Sequence, residues 1–422
     1  MKATSSIFFT VRGLCKRRSI HPFGYPEASL ITARFPVPKF SDAKEFQFLA
    51  ATRLIVGAGS IAQLGSIARE HNATCALVVS DLGIVRAGHA EKAIHSLRAA
   101  GLQTALFSNF SENPTTEHVD AGTILARERS PDLIVGVGGG SSMDCAKGIN
   151  FLFSCGGRMQ DYNGRGKATS PMLPSIAIPT TAGTGSETQS FALITDASTG
   201  IKMACGDQRA AFREAILDVN LTLTQPDRIT ALTGVDAVSH AVESYVSRAA
   251  TPASRVFSRE AWRLLSQSLP RVLADGADCD SRSAVQLGAA WAGLAIENAM
   301  LGAAHALANP LTASHRVVHG QAVGLMLPHT IRFNATVCAD HYAELLHDLE
   351  IDTPIDDPGE QLAAWLEALL DQAGMARTLA ALGITEPAIG QLATHAASQW
   401  TAGFNPRSVN VDDLAHLYEA AR

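Results

Sequence analysis

Short apolar runs alternate with helix-length amphipathic segments through the first half of this chain, and that alternation constrains the fold more than any other feature. Residues 75–80 (CALVVS), 104–107, 133–136 (LIVG) and 175–179 (SIAIP) read as buried strands. Between them, 61–71, 87–100 and 117–129 carry helical spacing and helix-forming residues. Strands separated by helices of this length need right-handed crossovers, which place them in a parallel sheet covered on both faces. The expected first half is therefore a doubly wound, Rossmann-like α/β domain.

After about Leu223 the strand signals fade. Segments rich in Ala, Leu and Glu follow one another to the end, as in 254–274, 283–308 and 361–382. Each such helix buries one stripe, so they pack as a bundle. At 422 residues the chain exceeds what one hydrophobic core usually supports. The sequence predicts an N-terminal extension over 1–45, an α/β domain over 46–222 and an all-α domain over 223–422.

With 46% hydrophobic and 18% charged residues, the composition is that of a globular protein with ample core material. A formal charge of −6 supplies no general attraction to nucleic acid or an anionic membrane, so small diffusible partners are expected. Seven cysteines are scattered without a C-x-x-C pair, which points to reduced thiols in the cytoplasm rather than a disulfide framework or a zinc-thiolate site. The longest stretches free of Asp, Glu, Lys and Arg are too short or too interrupted by Asn, His and Pro to span a bilayer. The first 26 residues hold Lys2, Arg12, Lys16, Arg17 and Arg18, several serines and no acid. That composition resembles a mitochondrial transit peptide, which would place the protein in the matrix, but an unstructured basic arm or an over-extended start of translation is the favoured reading.

One strand leads straight into glycines. Residues 132–135 are followed by Gly136, Gly138, Gly139 and Gly140 as a tight turn, and Ser141-Ser142-Met143-Asp144 opens a helix. Glycine lets a backbone approach a pyrophosphate closely, and free N–H groups at a helix start favour negative charge. The sixth position of the dinucleotide fingerprint is Ser141 rather than Gly, and a plain turn would look similar. A second loop, 179–187 (PTTAGTGSE), also follows a strand and is dense in hydroxyls; it reads as a phosphate and ribose cradle or as a polar turn. Asp81 follows the strand 75–80, where a carboxylate can accept both hydroxyls of an adenosine ribose and repel a phosphate there, favouring NAD over NADP. Capping the next helix is the alternative duty for Asp81.

Four further residues form a candidate metal set. Asp236 and His240 are four apart in a helical segment and project from one face. His305 and His319 lie fourteen apart, with Pro310 between them to end one helix, so a helix pair could turn both inward. Three imidazoles and a carboxylate suit Fe²⁺ or Zn²⁺ better than Mg²⁺ or Ca²⁺. Fourteen histidines occur in the chain, so spacing alone leaves a chance arrangement open.

The segments GGGSSMDCAKGIN, PTTAGTGSE, LDVNLTLTQP, TGVDAVSHAVESYVS, AHALANPLTASHRVVHGQAVGLMLPH and NPRSVNVDDLAHLYEAA, in this order, closely resemble the iron-containing alcohol dehydrogenase family. The likeness runs from about Phe46 to the C-terminus. It implies an α/β domain that binds NAD(P), a helical domain that binds the metal, and an active site in the cleft between them. Carried over by position, the metal ligands are Asp236, His240, His305 and His319. The expected cofactor contacts are Asp81, Asn113, Gly139, Gly140, Ser141, Asp144, Thr180, Thr181, Thr184, Ser186, Lys202 and Leu221. The resemblance also implies a homodimer or larger homo-oligomer, and NAD with Fe²⁺ or Zn²⁺ as cofactors.

Many members of that family carry another histidine four residues after the third ligand, where this chain has Asn309. Asn does not titrate, so a proton relay there would use water, a ribose hydroxyl or another group such as His315. With a Lewis acid and a hydride acceptor supplied by cofactors, no nucleophilic side chain is expected. Related chemistries on the same fold include glycerol dehydrogenases, maleylacetate reductases, hydroxyacid-oxoacid transhydrogenases and the lyase dehydroquinate synthase. A non-catalytic NAD-binding protein is a further alternative. The intact ligands and the PTTAGTGSE loop favour an alcohol dehydrogenase.

Overall fold

The computed structural model describes residues 45–349, 354–385 and 388–422. The basic N-terminal segment, with Cys15 and its transit-peptide composition, lies outside the described residues. Gln47–Arg422 form one compact unit.

In the first half the strands are β1 (Arg53–Val56), β2 (Cys75–Val79), β3 (Gln103–Phe107), β4 (Leu133–Gly138), β5 (Gly164–Arg165), β6 (Ser175–Pro179), β7 (Phe191–Thr195), β8 (Lys202–Gly206) and β9 (Glu214–Leu217). Six of them make a sheet in the order β1-β9-β6-β4-β2-β3, every neighbouring pair parallel. Its helices are α1 (Leu64–Glu70), α2 (Leu82–Arg86), α3 (His89–Ala99), α4 (Thr116–Arg129) and α5 (Gly140–Cys155). Alternate residues of a strand face opposite ways, and β2 shows the result. Ala76 and Val78 join Leu64, Ile67, Ile94 and Leu97 of α1 and α3 in one core. Leu77 and Val79 join Val119 of α4 and Cys145 and Ile149 of α5 in the other. The doubly wound, Rossmann-like arrangement is thus present.

Several details differ from expectation. β1 and β9 are short and bounded by charge, which hides them among loops. A second sheet, β5-β8-β7, was not foreseen; β7 and β8 form an antiparallel pair whose turn is held by Asp196, which accepts from the N–H and Oγ of Ser198. The expected helix over 87–100 is α3, which starts two residues later than read because Gly88 at φ 79° caps it, and a short helix not foreseen, α2, precedes it. The glycine turn is also shorter than expected: Gly136 and Gly138 belong to β4, and α5 already begins at Gly140.

The helical half contains α6 (Asp227–Val246), α7 (Pro252–Ala274), α8 (Cys279–Ala299), α9 (Ala303–His315), α10 (His319–His347), α11 (Pro358–Gln372), α12 (Ile389–Ala397) and α13 (Val411–Ala420). α6 is the axis of this half, buried almost throughout from Thr230 to Val246. The run 283–308 breaks where Met300 adopts φ 65°, so α8 and α9 are separate. Pro310 does not end a helix. It sits inside α9, whose neighbouring Leu307 and Leu311 are fully buried, and packing on both sides of the lost hydrogen bond carries the helix on to Arg316 at φ 57°. Likewise 361–382 is interrupted, α11 ending at Gln372 before Gly374 at φ 61°.

Glycines bring the two halves into backbone contact. A Cβ on Gly293 of α8 would stand 2.4 Å from the Gly185 carbonyl, and one on Gly183 would stand 2.5 Å from Thr233 of α6. Thr188 donates to the Ala290 carbonyl at 2.9 Å, adding a hydrogen bond to the same seam. The loop after β6 is therefore pinned directly onto α6 and α8.

Candidate active site

Asp236 and His240 lie one turn apart on α6, His305 is the third residue of α9, and His319 opens α10. The helix break at 300–302 lets α9 start beside α6. Gly320 lets α10 do the same, since a Cβ there would stand 2.2 Å from the Leu232 carbonyl. Three helices thus converge on one atom. Asp236 Oδ1 lies 3.4 Å from His240 Nε2, 3.6 Å from His305 Nε2 and 3.8 Å from His319 Nε2. Donor atoms of Asp236, His305 and His319 all fall within 4.8 Å of one another.

Asp236 Oδ1 and His305 Nε2 are buried without a hydrogen-bond partner. Buried polar atoms are rarely left so, and a cation among them would satisfy the set. The charges agree. Burial alone would raise the Asp236 carboxyl, yet the imidazoles of His240, His319 and His305 hold it well below the usual carboxylate range. Burial would likewise depress His305, but the carboxylates of Asp236 and Glu243 push it up to about 9. His240 is depressed by its burial. Burial depresses His319 as well, so two of the imidazoles face the carboxylate as neutral donors, and imidazole with carboxylate is a donor set that Fe²⁺ and Zn²⁺ accept.

Glu243, which the sequence reading passed over, approaches His305 from the other side. Its Oε2 lies 2.5 Å from His305 Nδ1. The signal was available: Asp236, His240 and Glu243 follow one another at helical spacing on one face. Asn309 donates to Gln399 Oε1 at 3.0 Å. His315 is exposed at the last residue of α9, roughly 15 Å along the helix from His305, so it is no partner for a proton relay at the metal set.

The second cluster surrounds the start of α5. Its N-cap is Gly139, which offers no side-chain cap, so the helix presents bare N–H groups. Beside it, a Cβ on Gly139 would stand 3.3 Å from Thr181, and one on Gly140 would stand 2.8 Å from Thr184. The loop 179–187 therefore lies hard against the glycines. Thr180 Oγ1 is buried and unpartnered. Ser141 Oγ accepts from the Asn113 N–H at 3.1 Å, and Lys202 Nζ donates to Asn113 Oδ1 at 3.0 Å. Asp81 does cap α2, its Oδ1 accepting from the N–H groups of Gly83 and Ile84, while Oδ2 accepts from Ser142 Oγ at 3.1 Å. An uncapped helix start, an orphaned hydroxyl and a glycine-lined approach fit a dinucleotide diphosphate.

Three expected cofactor contacts point inward instead. Leu221 is buried in the core on the α1 and α3 side of the sheet, because its apolar side chain completes that cluster. Ser186 donates to Asp144 Oδ1 at 2.8 Å, and both are buried. Lys147, also unforeseen, donates to the Ser186 carbonyl at 2.7 Å, to Ser186 Oγ at 3.0 Å and to the Phe191 carbonyl at 2.7 Å. Asp144, Ser186 and Lys147 thereby tie α5 to the 179–187 loop. A lone lysine within MDCAKGINFLF, three residues past an aspartate, was the available signal.

Known proteins resemble this chain over most of its length. Residues 51–219 match the model described as "Iron-containing alcohol dehydrogenase", and 230–422 match "Fe-containing alcohol dehydrogenase family, C-terminal". The chain is 33% identical over 370 residues to the NAD-dependent methanol dehydrogenase of Bacillus methanolicus, covering 87% of this chain and 97% of that protein. It is 32% identical to the 1,3-propanediol dehydrogenase of Klebsiella pneumoniae, covering 89% and 98%. Among solved structures, a 1,3-propanediol oxidoreductase superposes with a TM-score of 0.87 at 31% identity, covering 90% of this chain and all of that one. Sulfoacetaldehyde reductase from Bifidobacterium kashiwanohense, solved in complex with NAD⁺, gives 0.82 at 27% identity, covering 90% and 99%.

Proposed function

Because this chain belongs to the iron-containing alcohol dehydrogenase family, we propose that it interconverts an alcohol and its aldehyde or ketone by hydride exchange with NAD. The observation that carries this reading is the buried, unpartnered Asp236 Oδ1 with three imidazole nitrogens 3.4 to 3.8 Å away. Asp236, His240, His305 and His319 would hold Fe²⁺, or Zn²⁺ in its place. When bound, the ion supplies Lewis acidity toward an alcohol or carbonyl oxygen, and NAD supplies the hydride acceptor.

The chain's own residues do the rest. Gly139, Gly140 and the open start of α5 admit a diphosphate, with Ser141, Thr180, Thr181 and Thr184 as hydroxyl donors around it. Asn113 and Lys202 form a polar edge beside Ser141, suited to ribose hydroxyls. Asp81 keeps a carboxylate at the end of β2, which favours NAD over NADP. Asp144, Ser186 and Lys147 hold the loop in register, and Leu221 supplies core beneath it. Residues 46–222 serve in this reading as the cofactor domain and 223–422 as the metal domain. No residue is assigned as a nucleophile.

No helix among the described residues is long and apolar enough to cross a membrane. Six cysteines there are free, which supports a reducing compartment, and we place the enzyme in the cytoplasm as a homo-oligomer.

NADH absorbance measured on metal-stripped protein, then after anaerobic reloading with Fe²⁺ or Zn²⁺, tests the reading across primary alcohols, diols and hydroxy acids. We expect turnover restored by metal and absent in His305→Ala. Cofactor binding with no turnover under any metal and substrate would count against it.

A further inference from the structure

We propose that Glu243 is the positioning residue of the metal centre: it holds the His305 ring so that Nε2, and not Nδ1, faces Asp236 and takes the ion. The inference rests on the metal-centre reading above.

Glu243 is 4% exposed and lies on α6 one turn beyond His240. Its two oxygens are divided between two tasks. Oε2 meets His305 Nδ1 at 2.5 Å, and Oε1 accepts the Ala304 N–H at 2.8 Å. A carboxylate oxygen accepts, so Nδ1 must carry the hydrogen, which assigns the opposite nitrogen to coordination. That nitrogen points at Asp236 Oδ1, 3.6 Å away, and both atoms lack any other partner.

The surroundings hold the start of α9 against that carboxylate. Asn405 Oδ1 accepts the Ala303 N–H at 3.2 Å and the Asn334 amide at 3.0 Å. Asn334 returns the bond, accepting from Asn405 Nδ2 at 2.7 Å. A Cβ on Gly302 would stand 2.9 Å from Glu243 Oε1 and 3.0 Å from Asn405 Oδ1, so only glycine leaves both oxygens room. Two oxygens thus grip the first two N–H groups of α9, groups that a helix start otherwise leaves unpaired, and His305 is the next residue. The C-terminal NPRSV segment, remote in sequence, becomes part of the support for a ligand. A histidine ligand's second nitrogen is commonly fixed in this way, and loss of the fixing group weakens metal affinity about 10- to 100-fold.

The test titrates stripped protein with Zn²⁺ and Co²⁺ against a chelating competitor, comparing wild type with Glu243→Gln, Glu243→Asp and His305→Ala. The visible absorption of the Co²⁺ form and the Tm of each stripped protein are recorded alongside. We expect Glu243→Gln to bind both ions about 10- to 100-fold more weakly with a changed Co²⁺ spectrum, at a stripped-state Tm close to wild type. Wild-type affinity and spectrum in Glu243→Gln would overturn the proposal. Should that variant fail to fold, Glu243→Asp decides: reduced affinity at wild-type Tm supports the role, and unchanged affinity removes it. If wild type binds neither ion, or His305→Ala binds both as tightly, the metal centre itself is lost and the positioning role with it.

Discussion

Lys147 and Glu187 are both nearly inaccessible to water, and both depart from ordinary titration. Burial lowers the lysine to about 8, against the pull of Asp144, Glu297 and Glu187. Burial raises Glu187 to about 7, its own backbone hydrogen bond and Lys147 opposing the rise. A carboxyl raised from 4.5 in the unfolded chain to about 7 in the folded one favours folding fully below pH 4.5, and that contribution is lost as pH rises through about 7. Its size is on the order of 3 kcal/mol. Glu187→Gln removes the titration, so the variant should gain on wild type as pH climbs from about 4.5 to about 7. Thermal melts across that range check it; parallel pH profiles in the two proteins would contradict the assignment.

The residues missed from the sequence share a physical cause. Glu243 and Lys147 act on neighbours 62 and 39 positions away, on His305 and Ser186, so the local pattern that marks each residue does not name its partner. The four candidate ligands were legible because family motifs placed them, and their spacing alone was not decisive. Asp144 and Ser186 stand in motifs that were read as a cradle, yet their side chains are buried against each other and brace the loop from within.

At the scale of elements, short apolar runs buried on both faces were read closely, and 175–179 matches β6 end to end. β1 was hidden because its residues are exposed or only half-buried. Helix boundaries failed where one residue's backbone decides them, as at Met300 with φ 65°. Pro310 shows the converse, since buried leucines on both sides outweigh one missing hydrogen bond. The approach of α10 to α6 is governed by Gly320 in the same all-or-none manner. Gly320→Ala would force its methyl against the Leu232 carbonyl, 2.2 Å away, so α10 must move and carry His319 from Asp236. We expect a loss of about 1–3 kcal/mol in stability together with weakened metal binding. Chemical denaturation beside a metal titration measures both; a variant with native metal affinity would show that α10 can shift without moving its first residue.

For the whole molecule, a metal held as proposed would be a fastener as well as a reagent, joining α6, α9 and α10 although Asp236 and His319 stand 83 positions apart. A ligand that binds only the folded state stabilises it by about 2.7 kcal/mol when present at 100 times its Kd. Chelation should therefore lower the Tm by several degrees, and His305→Ala should erase the difference between stripped and loaded protein. Calorimetry with and without Zn²⁺ gives the answer, and equal melting temperatures in wild type would contradict it.

His319 differs from its companions in one respect. Its side chain is 35% exposed, against 5% to 7% for Asp236, His240 and His305, and it occupies the first turn of α10. Helix ends open more readily than the core around them. An ion held by these four residues would then leave through the opening of that single turn, without global unfolding. Stripping and reloading such an ion would proceed on the same folded molecules, at lowered stability in between.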